Sequence, residues 1–330
     1  MEIVASAADF YRRQLETEPG TGALDSLRTR GVEEEAIARW GIGYAPDSWR
    51  ALSEDLLGQG LSEVLLIESG VVGRARAGRL FDRMRNRVVF PVVDRNGRPR
   101  GIAGRLIEGD GPKYLNTPET ELYRKRSLLY GLHLAEGPIR DAGRAIVVEG
   151  YLDVIACHQA GFTNTVATAG TALTLEHLGL LGDITSTVTL AFDGDQGGRL
   201  AVSQAADHAG AQPLRVHVAY LPEGEDPADL LHRHPGIFKD ALAEAVPIEH
   251  HLIIEAVRQH NLDEPEGVAR AVHRAGQIAA AIHDRDDRDR AVELIATLVG
   301  RPESAIRGYV GESLQTSHHR RVREQGLSVM

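Results

Sequence analysis

Four short apolar runs in the middle of the chain, spaced by stretches of helical period, constrain the fold more than any other feature. They cover residues 145–148, 165–168, 187–192 and 214–221. Segments 152–160, 173–181 and 199–209 lie between them and carry the apolar spacing of helices. Gly161 and Gly210 stand where the first and third of these helices should stop. Runs that are apolar without alternation, joined by helices, predict a parallel, doubly wound sheet buried on both faces. The working edge of such a sheet is the one formed by the carboxyl ends of its strands.

Acidic residues stand where that edge should be. Glu149 and Gly150 follow the first run, Asp193-Gly194-Asp195 follows the third, and Asp226 and Asp229 lie just past the fourth. Any one of these reads equally well as a turn, since Asp and Gly are ordinary residues after a strand. Three at successive strand ends do not. Carboxylates that converge repel one another unless cations neutralise them. Hard divalent ions with oxygen ligands, Mg²⁺ foremost where phosphates are present, do this. Such a site suits phosphoryl transfer, in which one ion activates a hydroxyl and another stabilises the leaving oxygen. The sequence contains no P-loop and no nicotinamide fingerprint. Gly194-Asp195-Gln196-Gly197-Gly198 contains an acid, Asp195, which repels a pyrophosphate unless metals intervene.

The flanks differ in rhythm. Residues 24–40 read as a helix pair around Gly31, followed by a glycine-punctuated loop over 40–46 and a helical stretch over 49–70. Residues 87–93 and 100–106 read as a hairpin turning at Asn96-Gly97. Val268, Ala271, Val272, Ala275, Ile278, Ala279 and Ile282 mark one helix, and residues 288–299 a second, stopped by Gly300 and Pro302. The end of the chain, from about Thr316, reads as polar and frayed. The expected fold class is α/β, α+β overall. It has an N-terminal mixed subdomain over 1–140, the parallel sheet over 141–231 and a helical subdomain over 232–330.

Net charge is −10, which alone argues against nucleic acid. Between Arg74 and Arg126, however, fourteen Lys/Arg face six Asp/Glu. A basic segment in an acidic protein is the footprint of local phosphate binding, or else a solvated charged face. Two of the three lysines in the chain, Lys113 and Lys125, lie in this segment. Cys157, the only cysteine, reads as a buried free thiol and allows neither an internal disulfide nor a zinc ribbon. The histidine pairs His232/His234, His250/His251 and His318/His319 read as solvated helix or tail residues rather than a metal site.

Three segments, Val148-Glu149-Gly150-Tyr151-Leu152-Asp153-Val154, Ala167-Thr168-Ala169-Gly170-Thr171-Ala172-Leu173-Thr174 and Phe192-Asp193-Gly194-Asp195-Gln196-Gly197-Gly198-Arg199, resemble the TOPRIM module. That module is shared by primases, topoisomerases and some nucleases. Upstream, Trp40-Gly41-Ile42-Gly43-Tyr44-Ala45-Pro46, Asp82-Arg83-Met84-Arg85-Asn86-Arg87, Gly104-Arg105, Lys113-Tyr114-Leu115-Asn116-Thr117-Pro118-Glu119-Thr120 and Leu129-Tyr130-Gly131-Leu132 resemble the polymerase core of DnaG-type bacterial primases in order and spacing. The resemblance covers roughly residues 10–300. It implies template-directed synthesis of short RNA primers on single-stranded DNA. It makes Glu149, Asp193, Asp195 and Asp226 the metal-binding acids, with Lys113 beside them in catalysis. Asp153 is expected to hold the site by hydrogen bonds. Asp229 stands one place beyond Ala228, where the family has its next acid, and either replaces that acid or caps the following helix. Arg105, Lys113, Tyr114, Asn116 and Lys125 match the surface facing nucleic acid and nucleotide; Arg39, Arg83, Arg85 and Arg87 read equally as an extension of it or as a solvent-exposed arginine-rich face.

The implied cofactor is Mg²⁺ or Mn²⁺, more than one ion, with no zinc in this chain. The implied partners are a single-stranded DNA template, an RNA primer and NTPs, without a membrane. The replicative helicase is expected as a cellular partner, but its usual binding domain is expected to be absent for want of length. With no leader and no apolar span in the sequence, the expected location is the cytoplasm. Two rivals stand beside the primase reading. One is a TOPRIM nuclease or topoisomerase-like enzyme; the other is a non-catalytic single-strand-binding module.

Overall fold

The computed structural model describes residues 2–209, 213–282 and 284–311. Gly210, His318, His319 and the end of the chain from Thr316 lie outside the described residues. Two units separate by their internal contacts. The first runs to Arg215 and from Ala219 to Glu244; the second takes Val216–Val218 and the chain from Ala245 on.

The first unit opens with α1 (Glu2–Leu15), which buries Ile3, Val4, Ala7, Phe10, Tyr11 and Leu15. That stripe follows helical period, and it packs with Leu52, Leu56, Leu66, Val89 and Ile102 in one core. The expected helix pair is present as α2 (Thr21–Thr29) and α3 (Glu34–Trp40). Inside the expected loop the chain forms β1 (Gly43–Ala45). The helical stretch expected over 49–70 is two helices, α4 (Ala51–Gly58) and α5 (Glu63–Glu68), parted at Gly60, where φ is +82°. A short ribbon follows, β2 (Val72–Arg74) with β3 (Leu80–Asp82). The predicted hairpin is β4 (Arg87–Val93) with β5 (Pro99–Leu106), joined by β6 (Tyr114–Asn116) into an antiparallel sheet of order β1-β4-β5-β6.

After α6 (Leu132–Ala142) come β7 (Ala145–Val148), α7 (Tyr151–Gln159), β8 (Thr165–Ala167), α8 (Leu175–Gly182), β9 (Thr187–Leu190) and α9 (Gln196–Ala209). β8 and β9 both pair with β7 in parallel, as the run spacing predicts. All four residues of β7 are buried, which explains why the run shows no alternation. The fourth run contributes a shorter strand than expected, β10 (Arg215–Val218). The N–H groups of Arg215, its first residue, and Ala219, just past its end, donate to the carbonyls of Ser186 and Leu190 at the two ends of β9. The unit closes with α10 (Pro227–Arg233) and α11 (Pro235–Ala243). Cys157 is a buried free thiol, as expected.

In the second unit the residues of β10 pair antiparallel with β11 (Val246–Pro247). Helices α12 (Ile248–Arg258), α13 (Pro265–Ala281) and α14 (Arg285–Val299) follow and share a core of Ile253, Val257, Ala271, Ala275, Ile295 and their neighbours. His251 is buried in α12 rather than solvated, and His250 is half-buried. His232 and His234 are exposed, as expected. Among the described residues no helix is long and apolar enough to cross a membrane.

Candidate active site

The parallel register of β7, β8 and β9 brings their carboxyl ends to one edge, and the acids come with it. Glu149 directly follows β7. Its Oε1 accepts the Asp193 N–H at 3.1 Å, so the first two clusters touch. Gly194 joins the third. Its N–H donates to the Glu225 carbonyl at 2.9 Å, and the Gly224 N–H donates to the Gly194 carbonyl at 3.0 Å. A Cβ on Gly194 would stand 2.0 Å from the Pro222 carbonyl oxygen, so only glycine allows the two loops to close together. Asp153, buried on α7, takes the Gly150 N–H on Oδ2 at 2.8 Å and fixes the turn that carries Glu149.

These carboxyls are in conflict. Burial pushes Asp193 up to about 8, with Asp153, Glu149, Asp226 and Asp195 adding repulsion. Burial and then Asp226 push Asp153 up to about 7, against hydrogen bonds from the Gly150 and Ala228 backbone. Glu149 is raised too, mainly by burial. Oδ1 of Asp193 is shielded from solvent and accepts no hydrogen bond.

Facing the acids is a cationic wall. In the sheet register Arg105 lies directly opposite Tyr114, with Asn116 two residues further along the same face. The Arg105 guanidinium lies 6.0 Å from the Tyr114 ring centre and the Lys113 ammonium 5.9 Å. The two walls are tied by Tyr151, whose hydroxyl donates to Asn116 Oδ1 at 2.6 Å and whose ring stacks on Phe90. Between them lies a cavity of about 470 Å³, within the usual range of small-molecule pockets. Arg30, Arg105, Lys113, Tyr114, Asn116, Glu149, Asp153, Asp193, Asp226 and Asp229 all contribute to its lining.

The structure therefore brings together most of the residues singled out in the sequence. Asp195, Lys125, Arg83, Arg85, Arg87 and Arg39 are placed otherwise. Asp195 is exposed, and its Oδ1 accepts the Gly198 N–H at 2.8 Å, holding the first turn of α9 rather than lining the cavity. Lys125 sits in a short turn, its carbonyl bonded to His177 Nε2 at 3.0 Å. Arg83 and Arg85 line a second hollow of about 340 Å³ with Asp47, Asn86 and Arg87. There the Arg85 guanidinium stacks 3.6 Å from the ring centre of Trp49, a tryptophan 62% exposed. Arg87 is buried, with Nη1 donating to the Gly104 and Pro112 carbonyls, whereas Arg39 is exposed. Asp226 caps α10, its Oδ1 accepting the Asp229 N–H at 2.7 Å. Asp229 is exposed at the cavity rim, 3.5 Å from Arg233. Arg30, between α2 and α3, lines the cavity although nothing in its local sequence marks it.

Among the described residues no three Asp, Glu, His or Cys side chains stand close enough to form a ready-made metal cage. The donor set nonetheless fits a hard cation. Asp193 Oδ1 is a shielded, unpartnered acceptor, and it and the carboxyls around it are raised by burial and then by mutual repulsion, both of which a divalent ion would offset.

Residues 10–136 match the family model for the N-terminal domain of the DNA primase catalytic core, residues 146–231 a Toprim-like model, and residues 251–304 the DnaB-helicase binding domain of primase. The E. coli primase catalytic core superposes with a TM-score of 0.78 at 33% identity, covering 91% of this chain and 97% of that one. The chain belongs to the DnaG-type bacterial primase family. Primases of this family are metal-dependent, generally on Mg²⁺. The RNA polymerase domain of the Mycobacterium tuberculosis primase DnaG, solved with a double-stranded DNA oligomer bearing a 6-nucleotide overhang, also superposes at 0.78, with 33% identity over 91% of this chain and 97% of that one. The DNA primase of Deinococcus radiodurans is 40% identical over 274 residues, 82% of this chain and 47% of the relative. The chain thus spans about half the length of the curated primases it matches.

The match over 251–304 overturns one expectation, that the helicase-binding unit is missing for want of length. Length misled because a helical unit needs little chain. Three amphipathic helices, α12 to α14, close a core of their own within the second unit.

Proposed function

We propose that the chain catalyses template-directed synthesis of RNA primers on single-stranded DNA. A primer 3′-hydroxyl attacks the α-phosphate of an NTP; the new O–P bond forms as the bond to pyrophosphate breaks. One observation carries this reading: a carboxylate with one shielded, unpartnered oxygen, set among repelling acids, faces a wall of cations across one cavity. Glu149, Asp193 and Asp226 would hold the divalent ions, which supply charge neutralisation and activation of the hydroxyl when bound. Asp195 contributes from the start of α9, and Asp153 and Asp229 hold the loops that carry the other acids. Arg30, Arg105 and Lys113 receive the triphosphate, and Lys113 offsets charge developing on the transferred phosphoryl. Tyr151 keeps Asn116 and Tyr114 facing the acids. Arg83 and Arg85, with Trp49, form a stacking surface for unpaired template bases. Lys125 serves the same basic face from its rim.

We further infer a division of labour. Residues 1–140 bind nucleic acid, 141–231 carry the acids, and 232–330 form the helical part in which the chain docks the replicative helicase. Mg²⁺ or Mn²⁺ is the working ion, and the cytoplasm the working place. The test is incorporation of labelled NTPs on single-stranded DNA carrying a preannealed short RNA primer. NTP-dependent extension is expected. Metal-dependent cleavage of the DNA without extension would move the chain to the nucleases, and salt-sensitive binding with neither product would make it a binding module.

A further inference from the structure

Helix α9 has two working faces. Gly198, Val202, Ala205 and Ala209 form the buried one. Gly197, Leu200, Ala201 and Gln204, at i, i+3, i+4 and i+7, form a single stripe that lines the cavity. The stripe carries no charge, whereas most of the polar lining around it is ionic: Arg30, Arg105 and Lys113 among the cations, Glu149, Asp193 and Asp226 among the acids. Leu200 is 59% exposed, an apolar side chain left open in a cavity wall. Gly197 keeps the start of the stripe low, since a Cβ there would stand 3.2 Å from the Asp195 carboxylate.

We propose that this stripe is the wall against which the base and ribose of the incoming nucleotide rest. The proposal builds on the reading of the cavity as a nucleotidyl-transfer site. A nucleoside triphosphate is charged at one end and nearly neutral at the other. The cations and acids of the cavity suit the phosphates, and the α9 stripe, a neutral wall with an exposed aliphatic side chain and an amide one turn apart, suits the neutral end. Leu200 offers an aliphatic contact to the flat face of a base. Gln204, one turn on, presents an amide that both donates and accepts, so it tolerates any of the four base edges. The stripe therefore adds affinity without choosing the nucleotide, which leaves the choice to the template.

The test is primer extension by Leu200→Ala, Leu200→Met and Gln204→Ala, with inorganic tripolyphosphate as a competing ligand that lacks base and ribose. Leu200→Ala and Gln204→Ala should each raise KM for NTPs about five- to tenfold with kcat within about twofold, the pattern of lost uniform binding. Leu200→Met should restore most of the affinity, and the inhibition constant of tripolyphosphate should not move. An unchanged KM in both alanine variants overturns the proposal. So does a parallel rise in KM and in the tripolyphosphate constant, which would place the stripe at the phosphate end. A wild-type chain that extends nothing while binding primed DNA removes the catalytic reading itself, and the proposal with it.

Discussion

Asp82, buried, and Asp193, half-buried at the cavity, are two aspartates of the first unit held in opposite ways. Asp82, 2% exposed, closes β3 and reaches across to the start of α4. Its Oδ2 accepts the Leu52 N–H at 2.7 Å and its Oδ1 the Ser53 N–H at 3.0 Å. These are first-turn N–H groups that α4 has no side chain of its own to cap. Asp193 takes no such bond on Oδ1 and meets four other acids. Burial raises the pKa of both, so a displaced pKa alone does not tell them apart. Hydrogen bonding does. Asp82 is spent on the fold, while Asp193 is kept available at a cost to it, as expected where a ligand completes the site.

If that contrast holds, variants should separate cleanly into those that lose turnover and those that lose stability. The largest effect belongs to Glu149→Gln, which keeps the shape and removes the charge. Turnover in primer extension should fall by at least about 10³-fold while the thermal midpoint stays within a few degrees. Lys113→Ala should cost about 10²–10³ in turnover, and wild-type-like turnover would remove Lys113 from the chemistry. Asp82→Ala is the converse. It strands two buried N–H donors and should cost on the order of 2–4 kcal/mol in denaturant unfolding, with turnover per folded molecule retained.

A smaller effect is expected from a buried base. His158 packs edge-on against Trp40, with ring centres 5.0 Å apart, and its Nε2 donates to the Thr165 carbonyl at 2.9 Å. Nδ1 is buried without a partner, so a second proton there would be stranded. Burial accordingly lowers its pKa from 6.5 to about 4. Below pH 6.5 the unfolded chain binds the proton and the folded chain does not. The contribution of His158 to stability is thus complete above that pH and fades as pH falls towards about 4. His158→Gln should flatten the fall in thermal midpoint across that window, and an unaltered slope would contradict this assignment.

Much of this was legible in the residues, for identifiable reasons. The unalternating runs announced strands buried on both faces, and because parallel strands end together, the acids after them had to share an edge. Asn96-Gly97 announced the hairpin that faces Arg105 towards Tyr114. What could not be read depended on long-range pairing. Arg30 reaches the cavity only because the first unit folds as it does, and the spacing of Asp195 does not reveal that its carboxylate also holds the first turn of α9. Arg83 and Arg85 alternate with Arg87 along one strand approach, yet they open onto a different hollow from Lys113. The apolar stripe of α1 finds its partners only far along the chain, at Leu52, Val89 and Ile102. Chain length says little about the helical third, where three helices close a core of their own.

The most direct test of the contrast is Asp193→Asn, with turnover and thermal stability measured on the same preparation. The substitution removes a carboxylate that repels its neighbours and accepts no hydrogen bond on Oδ1. Turnover in NTP incorporation should be lost, while the thermal midpoint in the absence of divalent metal should hold or rise. Retained turnover, or a fall in stability like that of Asp82→Ala, would contradict the account and make Asp193 a structural residue.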